Sequence, residues 1–276
     1  VPKYTDRSVW FTGVMIVSPV EVLLGDVLDA HGGLARWNGF DQLETSIVSG
    51  GLLYALKGQS QDRQQRQVRV ALRDVRTCLQ PFGAPDRRMT FTADRTRIET
   101  LDGTVLLQED DPRPSFDGHE LATPWTPLQR AYFSGYALWT YLNSPFLLAR
   151  PDVVVRAIAP ITLDGQSLDG IEATLPPGMP SHSRIQQFYF GPDRLLRRHD
   201  YHVDIAGGFP ASQLLDDYID AEGVRVPLTR NAYRRSGDGT PMWDQLMVSM
   251  QFSNMHFSTQ PVFTDPVRRG VPDGGV

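Results

Sequence analysis

The chain has 276 residues, 41% of them hydrophobic, and a formal net charge of −5. That is enough apolar material for one large core, and the 27 basic residues form neither a stripe nor a basic amphipathic helix, which argues against nucleic acid and a membrane surface as partners. A single cysteine, Cys78, excludes an intrachain disulfide framework and a multi-thiolate zinc site, and its strand-like surroundings mark it as a small buried hydrophobe.

Residues 1–17 read as an N-terminal arm. Lys3 and Arg7 precede an apolar run from Val9 to Val17, but Thr12 and Gly13 interrupt it and no small-x-small cleavage site follows. No segment is long and apolar enough to span a bilayer, so a cytoplasmic location is expected. A first helix starts at Ser18, an N-cap followed by Pro19 and completed as a capping box by Glu21. Val20, Leu23, Leu24, Val27 and Leu28 form its apolar stripe, and His31-Gly32-Gly33 ends it.

Strands are predicted at 43–57, 67–72, 75–79, 88–92, 97–101 and 105–108, with Asp102-Gly103 as a hairpin turn. Residues 110–125, rich in Pro, Asp and Gly, read as a long surface loop. Thr126-Pro127 then opens a second helix running to about Leu142, apolar on every side and therefore buried on every side. Gly135 in its middle lets another backbone approach closely. Strands resume at 153–158, 170–175, 184–190, 195–205, 224–233 and 246–257, and 261–276 form a tail. The expected fold is mainly β: one curved antiparallel sheet, an open or nearly closed barrel spanning 18–260, with helices plugging or covering its cavity.

A helix ending in Asp29-Ala30-His31-Gly32-Gly33-Leu34-Ala35-Arg36-Trp37, followed at once by a long strand, resembles the opening of LolA/LolB-like lipoprotein-carrier superfamily proteins. The run from Phe188 to Tyr201, then Gly223-Val224-Arg225-Val226-Pro227 and a closing strand, resembles the same superfamily. The resemblance implies an unclosed antiparallel barrel whose helices cover an apolar cavity for acyl chains. The chain departs from the pattern in lacking a lipidated N-terminal cysteine and in its greater length.

The hairpin from Ser181 to Ile205 carries the candidate chemistry. Strand alternation puts His182, Arg184, Gln186, Phe188 and Phe190 on one face, and His199 and Tyr201 on a face of the next strand. With a four-residue loop the two faces coincide, Gln186 opposite His199 and Arg184 opposite Tyr201. His199, Tyr201 and Arg184 then orient a carbonyl or enol and move a proton. Tyr132, Tyr136, Trp139, Tyr141, Gln186, Phe188 and His182 form the substrate wall. The same residues also read as cross-strand polar pairs at a barrel rim. On the opposite face Arg198, Asp200, His202 and Asp204 read as a solvated surface, and no metal is assigned. His31 reads as a helix cap, His119 as an exposed loop residue, and His256 as equally suited to packing or catalysis. No nucleotide loop, nucleophile elbow or paired glycosidase-like carboxylates are present, so no cofactor is expected. The expected partner is a hydrophobic small molecule. The protein is read as its cofactor-independent cyclase or isomerase, acting on a polyketide- or terpenoid-like metabolite, with a non-catalytic lipid or acyl-chain carrier as the alternative. Oligomeric state stays open.

Overall fold

The computed structural model describes residues 18–259, together with a short backbone ladder of Trp10–Phe11 against Val14–Met15. Apart from that ladder, the expected arm and tail lie outside the described residues.

Thirteen strands form one antiparallel sheet: β1 (Gln42–Gly50), β2 (Arg66–Ala71), β3 (Arg76–Gln80), β4 (Arg87–Thr92), β5 (Arg95–Thr100), β6 (Val105–Asp110), β7 (Val154–Leu163), β8 (Gln166–Thr174), β9 (Ile185–Phe190), β10 (Leu196–Val203), β11 (Phe209–Ala221), β12 (Val224–Arg235) and β13 (Pro241–Ser258). Their spatial order is β6-β5-β4-β3-β2-β1-β13-β12-β11-β10-β9-β8-β7. The chain enters in the middle and hairpins out to the edge at β6. It then crosses to the opposite edge at β7 and hairpins back until β13 pairs with β1. The two edges do not meet, so the sheet is curved and open.

Among the described residues four helices accompany it: α1 (Pro19–Ala30), α2 (Leu34–Trp37), α3 (Leu53–Leu56) and α4 (Pro127–Asn143). The predicted capping box of Ser18 with Glu21 forms, and the predicted Thr126 cap proves to be a second one, completed by Gln129. Every residue of α4 from Gln129 to Asn143 is buried, as an all-round apolar helix requires. It packs on β3, β4 and β5, and Gly135 permits the approach: a Cβ there would lie 2.3 Å from Phe91 Cγ. Thr77 Oγ1 donates to the Gly135 carbonyl at 2.9 Å, tying helix to sheet. Among the described residues, no helix is long and apolar enough to cross a membrane.

The structure corrects several boundaries. The long strand expected over 43–57 stops at Gly50, because Gly51 turns at φ +103 against the β13 backbone and Leu53–Leu56 coil into α3. β11 was not expected at all. Between its buried Phe209 and Leu215 the buried residues Ala211, Ser212 and Gln213 are small or polar, which interrupts the hydrophobic alternation, and Pro210 and Asp216-Asp217 look like breakers. The 110–125 segment is not purely a surface loop: it holds a 3-10 turn, Arg113–Phe116, and buries Phe116 and Trp125 in the core.

The β9–β10 hairpin keeps the expected faces but not the expected partners. Phe188 stands opposite His199 and Gln187 opposite Asp200. The Gly191–Leu195 turn, closed by Gly191 N–H to the Leu195 carbonyl at 2.9 Å, is one residue longer than assumed, and a register shift between Tyr189 and Phe190 adds another. Two residues of slip preserve the period of two. The slip carries Arg184 beyond the ladder, where it is exposed and reaches only the Leu175 carbonyl at 3.3 Å.

Candidate functional site

Two adjoining features occupy the concave side of the sheet: a sealed polar network and an apolar cleft. In the network, His182 sits between two tyrosines of α4, with Nδ1 3.2 Å from Tyr136 Oη and Nε2 2.6 Å from Tyr141 Oη. A neutral imidazole has one donor and one acceptor nitrogen, so one tyrosine donates to the ring and the other accepts from it. Tyr141 Oη also meets Tyr201 Oη at 2.7 Å, and the Tyr201 ring stacks on His182 at 4.0 Å. His199 stacks on Phe188 at 4.2 Å, and its Nε2 donates to Gln186 Oε1 at 2.7 Å. Gln186 in turn donates to the Ser183 carbonyl at 2.8 Å.

Burial fixes the charge states. It pushes the His182 pKa down to about 3, with the Arg113 charge adding to the effect. His199 is held well below its ordinary value by burial, then by the charges of His182 and Arg230. The same desolvation raises Tyr136, Tyr141 and Tyr201. At neutral pH the cluster is uncharged except for Arg230, which burial lowers only to about 10. Arg230 donates to Gln213 Oε1 at 3.0 Å and to the Tyr141 carbonyl at 2.6 Å. That carbonyl belongs to the last turn of α4, where unpaired C=O groups carry the negative end of the helix dipole, and this compensates the buried cation.

Of the sequence-predicted residues, the structure thus brings together His182, Gln186, Phe188, His199, Tyr201, Tyr136 and Tyr141. Tyr132 packs against Tyr136 at 5.3 Å but also against Phe91 and Phe116, outside the hydrogen-bonded cluster. Trp139 turns toward the β2–β3 connection, its indole N–H shared by the carbonyls of Ala71 and Asp74 at 3.0 and 2.8 Å. Arg184 is remote from both. The face read as solvated is partly buried: Arg198 binds Asp200 through two contacts of 2.7 Å, and Ser212 donates to the same carboxylate. His202 on that face is exposed, and no group of three metal-ligating side chains occurs among the described residues. His31 caps α1 through Nδ1 and the Val27 carbonyl at 2.8 Å, and burial lowers its pKa to about 4, so it is neutral. His119 is partly covered by Phe116, and His256 pairs with Glu222 at 2.8 Å. Cys78 is buried, and burial lifts its thiol to about 11, which makes it inert.

The cleft lies on the other side of Tyr141. Its walls are Ile47, Leu53, Leu79, Ala137, Leu138 and Met250, with Phe133 and Met247 beside them, and Ser49, Gln61 and Arg66 give it a polar rim. The space in it open to a water-sized sphere is about 30 Å3; the figure of about 460 Å3 takes in every gap between its wall atoms together with the open solvent at its mouth. An open groove of about 800 Å3 continues from it along β1 and β13, sharing Ser49, Gly50, Gln61 and Met250. Sequence reasoning missed this cleft. Its walls come from β1, β3, β13, α3 and α4, which no local spacing relates, and of the expected substrate wall only Tyr141 lines it, whereas Tyr132, Tyr136, Trp139, His182, Gln186 and Phe188 do not.

No protein-family model and no curated protein matches the sequence. Among solved structures, a LolA superfamily protein from Nitrosomonas europaea aligns at 7% identity and a TM-score of 0.49, over 88% of this chain and 96% of that one. A DUF1329 family protein from Desulfovibrio piger aligns at 9% identity and a TM-score of 0.49, over 90% and 96% of the two chains. The first bears the name of the superfamily that residues 29–37 resemble.

Proposed function

We propose that the protein binds a hydrophobic small molecule in the cleft between α4 and the β1–β13 seam, and carries it without transforming it. The observation that supports this reading is the composition of the cleft, an almost wholly apolar wall with a few polar groups confined to its rim. Met247 and Met250, flexible and polarizable, let this tight cleft widen around a ligand. The Gly50-Gly51 pair allows the α3 turn beside it to shift.

A cyclase or isomerase reading lacks a proton-transfer group. A general base works best with a pKa near the working pH, whereas His182 and His199 are held far below it and are fully buried. Of the network's hydrogen-bonded side chains, only Tyr141 lines the cleft, and burial raises its hydroxyl well above the range useful for proton transfer.

The test uses lipid-stripped protein titrated with Nile red, a neutral apolar fluorophore. Saturable binding is expected, and Ala137→Trp, which fills the cleft, should weaken it by about tenfold or more, as expected where several buried apolar contacts are lost. The far-UV spectrum should not change. Equal affinity in the tryptophan variant would place the ligand elsewhere and sink the proposal.

A further inference from the structure

At the rim of the cleft the charges do not balance. Arg66 leaves the first residue of β2, Arg130 the first turn of α4, and both guanidinium groups reach one carboxylate. Arg66 Nη1 lies 3.2 Å from Asp62 Oδ2, and Arg130 Nη2 donates to the same oxygen. Both arginine side chains are almost fully buried, at 3% and 5% exposure. Arg66 gives a further N–H to Ser49 Oγ at 2.5 Å, and the Arg130 guanidinium lies over the rings of Tyr54 and Phe82 at 5.0 and 4.5 Å. The Nε of each is buried with no hydrogen-bond partner among the described residues. Burial disfavours the Arg66 charge, Tyr54 and then Asp62 offset part of that, and Arg130 opposes them.

Two buried guanidinium groups on one carboxylate leave an excess positive charge. A buried charge without its full complement of partners is unfavourable in general. Natural proteins tolerate such a deficit where a ligand removes it. The planar fork of arginine matches the oxygens of a carboxylate or a phosphate, and the unpaired Nε–H groups are donors of the type such oxygens accept. Arg66 sits on the rim of an apolar cleft, so an anion bound there can extend an apolar tail inward.

We infer that the ligand is an anionic amphiphile, its tail against Leu53, Leu79, Leu138 and Met250 and its carboxylate or phosphate head group on Arg66, where Arg130 competes for the shared Asp62 carboxylate. This rests on the binding reading above and gives it a ligand class.

The experiment compares four ten-carbon ligands by calorimetric titration of the full, lipid-stripped chain: decanoate, decyl phosphate, decanol and decyltrimethylammonium. At least one of the two anions should bind about tenfold or more tightly than decanol, the range expected of charge-assisted hydrogen bonds to a buried guanidinium, and the cation should bind most weakly. Which anion is tighter names the head group. The ratio of anion to decanol affinity should fall toward one in Arg66→Gln, and also in Ser49→Asp, whose new carboxylate competes for Arg66. If Arg66→Gln does not fold, as judged by its far-UV spectrum and melting, Ser49→Asp supplies the reading alone. Decanol binding as tightly as both anions, or a ratio that survives in every folded variant, overturns the head-group assignment while leaving the binding reading standing. Failure of all four ligands and of Nile red to bind overturns both.

Discussion

Three buried histidines, His31, His182 and His199, are neutral in the folded protein, and this makes its stability depend on pH in a definite direction. The ordinary imidazole value of 6.5 falls to about 4 for His31 and about 3 for His182, and His199 lies well below it, in each case chiefly through burial. Above pH 6.5 neither folded nor unfolded chain takes up these protons, so their contribution is constant. As pH falls below that value the unfolded chain binds protons that the folded chain refuses, and stability drops until the folded pKa values are reached. Each refused proton contributes about 1.4 kcal/mol per pH unit, so three give a slope of up to about 4 kcal/mol per pH unit near pH 5. Urea midpoints measured at pH 7.5, 6 and 5 should therefore fall steeply across the lower interval; a flat series would contradict a sealed, neutral network. At this scale the sequence was informative where strand alternation decides. His199, Tyr201, Gln186 and Phe188 share a face in any even register, whereas the position of Arg184 depended on turn length and a bulge. Arg66 and Arg130 left no trace, because Asp62 joins them only once α4 has docked.

At the scale of elements, α4 carries two constraints that substitutions can read separately. Gly135→Ala replaces a poor helix former with the best one, a gain of about 1 kcal/mol in an isolated helix. Here the added methyl would stand 2.3 Å from Phe91 Cγ, so overpacking should win and lower stability by about 1–3 kcal/mol. A stabilised alanine variant in urea unfolding would mean that the helix does not lie this close to β4. At the other end, Arg230→Met keeps most of the volume but strips the Tyr141 carbonyl and Gln213 Oε1 of their donor. Each abandoned buried acceptor costs about 1–3 kcal/mol, partly offset by no longer burying a charge, so a net loss of about 2 kcal/mol is expected. A neutral result would show that the helix terminus does not depend on this cation. Both long helices were legible because their start signals are local: Ser18-Pro19 with Glu21, and Thr126-Pro127. β11 was illegible because it buries Ser212 on one face to serve Asp200 and Gln213 on the other to serve Arg230, and these polar positions interrupt the apolar alternation.

At the scale of the molecule, an antiparallel sheet around a buried helix followed from the order of strands and helices along the chain. The seam did not. Nothing in the residues of β1 says that its second neighbour is β13, since pairing over such a distance is decided by how the whole sheet curves around α4. That seam has a consequence for how the molecule is made. Synthesis delivers β1 before any other strand of the sheet, and its partner on one side only after residue 241 has emerged. Until then β1 keeps a bare edge, open to pairing with other chains, and the contact that closes it is slow to form because so much chain separates the two strands. Met247 and Met250 arrive on that last strand, so the cleft does not exist on the nascent chain. A ligand therefore cannot template early folding through the cleft; it can only hold the finished protein together, by mass action, once the seam has closed.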